Sequence, residues 1–259
     1  MTVTSASPIA RVSIRPLALP VEHGGWGFVL EPVALALVVA PSWPGVMIGI
    51  GVLAAFLARH PLRLAAGDWM RRRRYPRTIV CERLAVIYGA VSIAAMVIAV
   101  AIAGPQILLP FAIAAPFGFA QFAFDVRNHG RAMTPEIIGA AAAGASAASI
   151  ALAGGRSMPL AATLWLLMML RSIPSIVFVR AALKRQSRSM AIAFHVAAVV
   201  IALILWRRHL APVAAIVAML LLLMRALMPP RMERPQRVGM RELAYGVVTL
   251  VLIGAGFRF

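Results

Sequence analysis

The sequence predicts an all-α fold, a polytopic membrane helical bundle of nine transmembrane helices with its N-terminus in the cytoplasm. Three observations predict it. Hydrophobic residues make up 62% of the 259-residue chain and charged residues only 13%. Soluble domains average about 45–50% and about 25%, so a water-soluble globule of this composition would lack polar groups to cover its surface. Nine apolar runs approach the roughly 20 residues a helix needs to cross hydrocarbon. The basic residues, finally, sort onto alternate connections. The same apolar excess excludes a disordered chain.

The runs fall at 24–42, 44–59, 84–103, 106–124, 135–154, 158–180, 190–206, 210–228 and 241–257. The first opens on Gly24-Gly25-Trp26-Gly27 and meets the second at a tight turn around Pro41 and Pro44. His60 to Arg83 then forms the longest connection. Gly104-Pro105 divides the third run from the fourth, and Gly154-Gly155 divides the fifth from the sixth. Such pairs break helices through a missing donor and free dihedrals. Thr134-Pro135-Glu136 reads as a helix start, with an N-cap, a first-turn proline and an acid at the positive dipole end. Pro174 should kink the sixth run. Arg207, Arg208 and His209 precede the eighth, and a basic segment from Arg225 to Arg241 precedes the ninth. A tail, residues 1–22, is expected to be flexible, and residues 23–259 form one membrane domain without a visible internal repeat. No cleaved leader is expected, because Arg11 and Arg15 are followed by Pro16, Pro20, Glu22 and His23 before the first apolar run.

The chain carries 26 Lys+Arg against 8 Asp+Glu, a formal charge of +18. In a soluble protein that excess would point to nucleic acid. With nine alternating spans, twenty-one basic residues fall on inner segments and four (Arg156, Arg207, Arg208 and Arg258) on outer ones, with Arg171 inside the sixth span. This split obeys the positive-inside rule. It predicts a multi-pass protein of the cell's inner (plasma) membrane, N-terminus cytoplasmic and C-terminus external, contacting membrane lipids and no nucleic acid. A single cysteine, Cys81, excludes an internal disulfide framework and a Cys-rich metal site.

With so few acids, each polar group near the hydrocarbon is informative. Glu31 lies well inside the first span and Arg171 inside the sixth, and an unpaired charge there costs several kcal/mol. They are candidate partners, either at a polar site or in a structural ion pair. Glu22 and His23 add an acid and a titratable donor where the first span begins. Arg59, His60, Asp68, Arg127, Asn128 and Arg180 gather at the inner ends of spans. Histidines 23, 60, 129 and 195 also lie near inner ends, yet none has the same-helix spacing of a metal site. No metal and no cofactor is expected. Capping accounts for Glu136.

Two stretches, RNHGRAMTPEIIGAAAAGA and LRSIPSIVFVRAALKR, together with the nine-span layout, resemble the UbiA superfamily of intramembrane prenyltransferases. The first is similar to that superfamily's basic loop and the start of its fifth span. The second occupies the place where its sixth span ends in an aspartate motif. The resemblance implies a cavity on the cytoplasmic side. That superfamily holds Mg²⁺ and diphosphate with two Asp-rich motifs. Here the first place offers only Asp68, in AAGDWMRRRRYPRT, and the second, RAALKR, no acid. One carboxylate cannot build such a site, so any enzyme would be a divergent prenyltransferase. The PVEHGGW opening and the basic second loop resemble the YwiC-like membrane proteins, a likeness that implies no activity.

Three functions follow as expectations. In the first, the cavity binds, and in an enzyme transforms, an amphiphile with an anionic head, such as an isoprenoid or lipid phosphate. Arg59, His60, Asp68, Arg127, Asn128, Arg171 and Arg180 would bind it, and Glu22, His23 or Glu31 would be the acid/base. In the second, Glu31 and Arg171 couple the passage of a small solute or proton. In the third, the protein is a non-catalytic assembly partner that docks through Arg71–Arg74.

Overall fold

The computed structural model describes residues 13–19, 25–127, 129–130, 132–183, 186–228 and 235–258. Among these residues the chain is helical and has no strand. A helical turn, α1 (Arg15–Ala18), precedes α2 (Gly25–Val39), α3 (Trp43–Met70) and α4 (Pro76–Ala103). A 3-10 turn, Pro105–Leu108, leads into α5 (Leu109–Val126). Then come α6 (Met133–Ala153), α7 (Met158–Ala182), α8 (Arg188–Arg207), α9 (Val213–Leu227) and α10 (Pro235–Arg258).

The helices α2 to α10 lie where the nine apolar runs place them. Among the described residues, seven segments are long and apolar enough to cross a membrane. The other two, α2 and α9, are apolar but have 15 residues each, about 22 Å of helix. Their C-terminal carbonyls are capped by arginines from other helices or turns. Arg156 donates to Val39 O at 2.9 Å and Arg258 to Val38 O at 2.9 Å. Arg188 donates to Leu227 O at 2.5 Å and Met228 O at 3.1 Å. A helix end leaves carbonyls without intrahelical partners, and a guanidinium both pairs with them and suits the negative dipole end. Two of the four arginines expected on outer segments, Arg156 and Arg258, therefore have a specific structural task, as does Arg188, expected as an inner-segment charge.

The expected long connection from His60 to Arg83 is mostly helix. Proline at 61 costs one backbone hydrogen bond, but α3 continues through it to Met70. What fixes the extension is Asp68, buried against the start of α4. It accepts from Arg77 Nη2 at 2.8 Å and Thr78 Oγ1 at 2.7 Å. Tyr75 caps α4, its N–H donating to Thr78 Oγ1 at 3.0 Å, with Pro76 at the first helical position. Only Arg71 to Tyr75 remain as the turn. Within the expected tail, α1 rests on this hairpin, with His60 Nε2 3.2 Å from Pro16 O and Tyr88 Oη donating to Ala18 O at 3.3 Å.

The packing divides the helices around α6 and α7, the two with the most buried faces. Alanine, glycine and serine fill α6, which lets α2, α5 and α7 approach closely. At Gly144 a Cβ would stand 2.8 Å from Trp165 Cδ1, whose indole N–H donates to Ala141 O at 2.8 Å. On one side α3, α4 and α5 pack as a group. On the other, contacts α7–α8, α8–α9, α9–α10, α10–α2 and α2–α7 close a five-helix ring. Arg59 and Arg180 pair with neighbouring helices at the bundle end where α3, α5, α7 and α9 finish. That end also carries the 71–75 turn.

Candidate functional site

Each helix of the ring contributes to one polar cluster. Arg171 and Ser175 come from α7, His195 from α8, Arg225 from α9, Glu242 from α10 and Glu31 from α2. On α7, Arg171, Ser175 and Phe178 stand at i, i+4 and i+7, so they share a face. Arg171 is 3% exposed and Arg225 2%. Two cations at that burial in an apolar bundle require opposite charge and hydrogen bonds, and both have them.

Arg171 Nη2 donates to Glu31 Oε1 at 3.3 Å and to the Glu242 backbone carbonyl at 2.9 Å. Its Nη1 donates to Ser175 Oγ at 2.5 Å and lies 3.8 Å from Glu242 Oε2. Arg225 Nη1 donates to Glu242 Oε1 at 2.5 Å, and its Nη2 reaches Ser175 Oγ at 3.4 Å and His195 Nε2 at 3.1 Å. The guanidinium of Arg225 also lies 4.1 Å from the Phe178 ring centroid and 5.0 Å from that of Tyr245, a cation–π arrangement that suits a desolvated cation. His195 Nδ1 is 2.7 Å from Ala191 O. A carbonyl can only accept, so Nδ1 carries the proton and the neutral ring's Nε2 accepts from Arg225.

Two arginines face two glutamates, so the cluster balances with both carboxylates ionised. Its hydrogen bonding is incomplete. Arg171 Nε, Arg225 Nε and Glu242 Oε2 are buried and have no hydrogen-bond partner among the described residues. Glu31 is the most loosely held member, with one 3.3 Å bond. Space for its carboxylate exists because residue 246 is glycine: a Cβ there would collide with Glu31 Oε1 and stand 3.0 Å from Arg171 Nη2.

The structure thus brings together Glu31 and Arg171. The other sequence candidates sit elsewhere. Arg59 Nε donates to buried Asp125 at 2.6 Å, tying α3 to α5. Arg180 Nε pairs with Glu136 at 2.9 Å, tying α7 to α6. Asp68 serves the α3–α4 hairpin, His60 meets α1, and Arg127 is exposed at the end of α5. Glu22, His23 and Asn128 lie outside the described residues. Sequence reasoning did not select Ser175, His195, Arg225 or Glu242 for this site. The α7 spacing from Arg171 to Ser175 and Phe178 was a usable signal. Arg225 and Glu242 read as loop charges, because a sequence does not show that a helix end is enclosed.

All six acids among the described residues are engaged by arginine: Glu31 and Glu242 as above, Asp68 by Arg77, Asp125 by Arg59, Glu136 by Arg180, and Glu82 by Arg74 at 2.9 Å. No group of three or more His, Cys, Asp or Glu side chains able to hold a metal ion occurs among the described residues. The donor chemistry of the cluster is therefore that of guanidinium groups, suited to phosphate or carboxylate.

No curated protein and no solved structure matches the chain. A family profile described as YwiC-like protein matches residues 19–151, just over half of the chain. The match covers α2 to α6 and so includes Glu31, Asp68 and the Arg59–Asp125 pair, whereas Arg171, His195, Arg225 and Glu242 lie beyond it. With apolar helices long enough to cross a membrane and a family match over more than half its length, the chain is a multi-pass membrane protein that belongs to the YwiC-like family.

Proposed function

We propose that the five-helix ring binds the anionic head of a membrane amphiphile, such as an isoprenoid or lipid phosphate, with Arg171 and Arg225 as its anchors. The observation that carries this reading is the pair of buried guanidinium groups whose Nε–H donors make no hydrogen bond, beside a buried carboxylate oxygen that accepts none. Two donors and one acceptor complement a head with acceptor oxygens and one hydroxyl, as in a phosphate monoester. Arginine would hold the head directly, on a UbiA-like scaffold from which the Mg²⁺-binding aspartates are missing. In this reading the arginine-rich bundle end faces the cytoplasm. Glu31 competes with the head for Arg171 and is the described group placed to move a proton in any reaction there.

The test is to purify the full chain in detergent and identify retained lipids by mass spectrometry. Arg171→Gln and Arg225→Gln should each lose a phosphate- or carboxylate-headed species that wild type retains. Glu31→Gln should retain more of it, because a competing anion is removed while side-chain volume is kept. Equal retention in wild type and both arginine variants would overturn the proposal. A second reading, passage of a small solute or proton, is favoured by the continuity of the chain Glu31–Arg171–Glu242–Arg225–His195 across five helices. Glu31-dependent flux in liposomes without lipid retention would support it instead.

A further inference from the structure

We infer that the tip of the α3–α4 hairpin is a docking surface for anionic phospholipid headgroups, independent of what the five-helix ring binds. Trp43 opens α3 and is 77% exposed, and Trp69 near its other end is 51% exposed. They stand twenty-six positions apart, about 39 Å of helix. A bilayer with its headgroup layers is about 40–45 Å thick, and exposed tryptophans concentrate at its two interfaces. The two indoles therefore mark the opposite interfacial layers. Met70, the next residue, and Tyr75, across the turn, are also exposed.

Arg71 to Arg74 come next, at the level of the phosphates. The hairpin's carboxylates divide these cations into two sets. Arg74 pairs with Glu82, and Arg77 pairs with Asp68. Glu82 also accepts from Trp69 Nε1 at 2.9 Å. Arg71, Arg72 and Arg73 form no ion pair with any described residue. Backbone bonds from Arg72 N–H to Trp69 O at 2.9 Å and from Arg73 N–H to Asp68 O at 3.0 Å fix the turn that presents them. At Arg72 φ is +53°, a left-handed conformation that ends many helices and favours glycine. An arginine here strains the backbone of a turn that glycine would relax, and its charge is aimed outward. Arg73 Nη1 reaches only the neutral Tyr75 hydroxyl, at 3.4 Å. A row of three exposed cations without an ion pair, beside interfacial aromatics, suits a negatively charged lipid surface more closely than an acidic peptide, since the aromatics place the row inside the headgroup layer.

The experiment uses the full chain in liposomes of phosphatidylcholine with phosphatidylglycerol, either lipid being supplied in brominated form. Quenching of the Trp69 component, taken as wild type minus Trp69→Phe, gives the local preference for one lipid over the other. The expected result is a preference for phosphatidylglycerol that weakens with added salt. It should fall about fivefold in Arg72→Gly, the typical contribution of one basic residue near an anionic surface. It should vanish in Arg71→Ser/Arg72→Ser/Arg73→Ser, where Arg63, Arg74, Arg77 and Arg83 remain to hold orientation. The thermal midpoint of Arg72→Gly should equal or exceed that of wild type. Equal quenching by the two lipids in wild type would overturn the inference. So would an unchanged preference in Arg72→Gly, or a preference that falls only together with the thermal midpoint.

Discussion

Gly246→Ala tests the geometry of the charged cluster with a single methyl group. The added Cβ would collide with Glu31 Oε1 and lie 3.0 Å from Arg171 Nη2. Neither neighbour is the free end of a surface chain: Glu31 holds Arg171, and Arg171 is fixed by Ser175 and Glu242. Overpacking of this kind costs about 1–3 kcal/mol. Losing the long charge-assisted bond at 3.3 Å adds about 1.5 kcal/mol. Replacing a mid-helix glycine by alanine returns about 1 kcal/mol of helix propensity. The net expectation is a loss of about 1.5–3.5 kcal/mol, or roughly 3–14 °C in thermal midpoint at about 2–4 °C per kcal/mol. The assay is thermal unfolding in detergent across a double-mutant cycle with Glu31→Ala. In the Glu31→Ala background the methyl has room, so Gly246→Ala should be neutral or stabilising. Glu31→Gln separates size from charge, since an amide of the same shape leaves the collision in place. A Gly246→Ala protein as stable as wild type, or one equally destabilised with and without the Glu31 side chain, would show that the methyl does not meet the Glu31 carboxylate.

Other perturbations address other parts of the bundle. Asp68→Asn should weaken the bonds that pin Arg77 and Thr78 and cost about 1.5–3 kcal/mol; faster trypsin cleavage at Arg71–Arg74 checks it, and an unchanged rate counts against it. Arg156→Ala and Arg258→Ala should each uncap the end of α2 at about 1 kcal/mol, read as faster amide exchange in the last turn of α2 with α3 unaffected. His195→Phe keeps much of the ring's volume but leaves Arg225 Nη2 without its acceptor, so the thermal midpoint should fall by several degrees at about 1–3 kcal/mol. His195→Gln should recover part of that loss, and equal midpoints for the two variants would show that the bond to Arg225 does not matter.

The positions of α2 to α10 were legible in the sequence because nothing competes with a long apolar run as a cause of buried helix. Their ends were less so. Pro61 looks like a terminator, yet α3 continues for nine further residues because Asp68 finds two donors at the start of α4. That pairing joins residues nine and ten apart across a turn and leaves no periodic trace in the sequence. The short helices α2 and α9 read as full spans because their apolar runs continue into turns. At the site, Glu31 and Arg171 were legible as charges that hydrocarbon would not tolerate alone. Arg225, His195 and Glu242 were not, because each lies toward the end of its apolar run, where a polar residue ordinarily marks only the boundary of a span. Enclosure by neighbouring helices decides between those roles, and enclosure is a tertiary property.

The scarcity of acids sets the chemistry of this protein more firmly than the abundance of arginine does. Six carboxylates among the described residues each meet a guanidinium, and all but Glu82 thereby join two helices. Asp125 ties α5 to α3, Asp68 ties α3 to α4, and Glu136 ties α6 to α7, while Glu31 and Glu242 draw α2 and α10 onto α7 and α9. A divalent cation could gather these carboxylates only by first displacing an arginine from each. An anion needs far less rearrangement. At Arg171 it has to replace one carboxylate held by a single 3.3 Å bond, and Glu242, with bonds to Arg225 and a second contact to Arg171, can remain in place. The cluster is therefore asymmetric toward anions: Arg225 and Glu242 form its fixed half, and the Glu31–Arg171 contact is the half that can open.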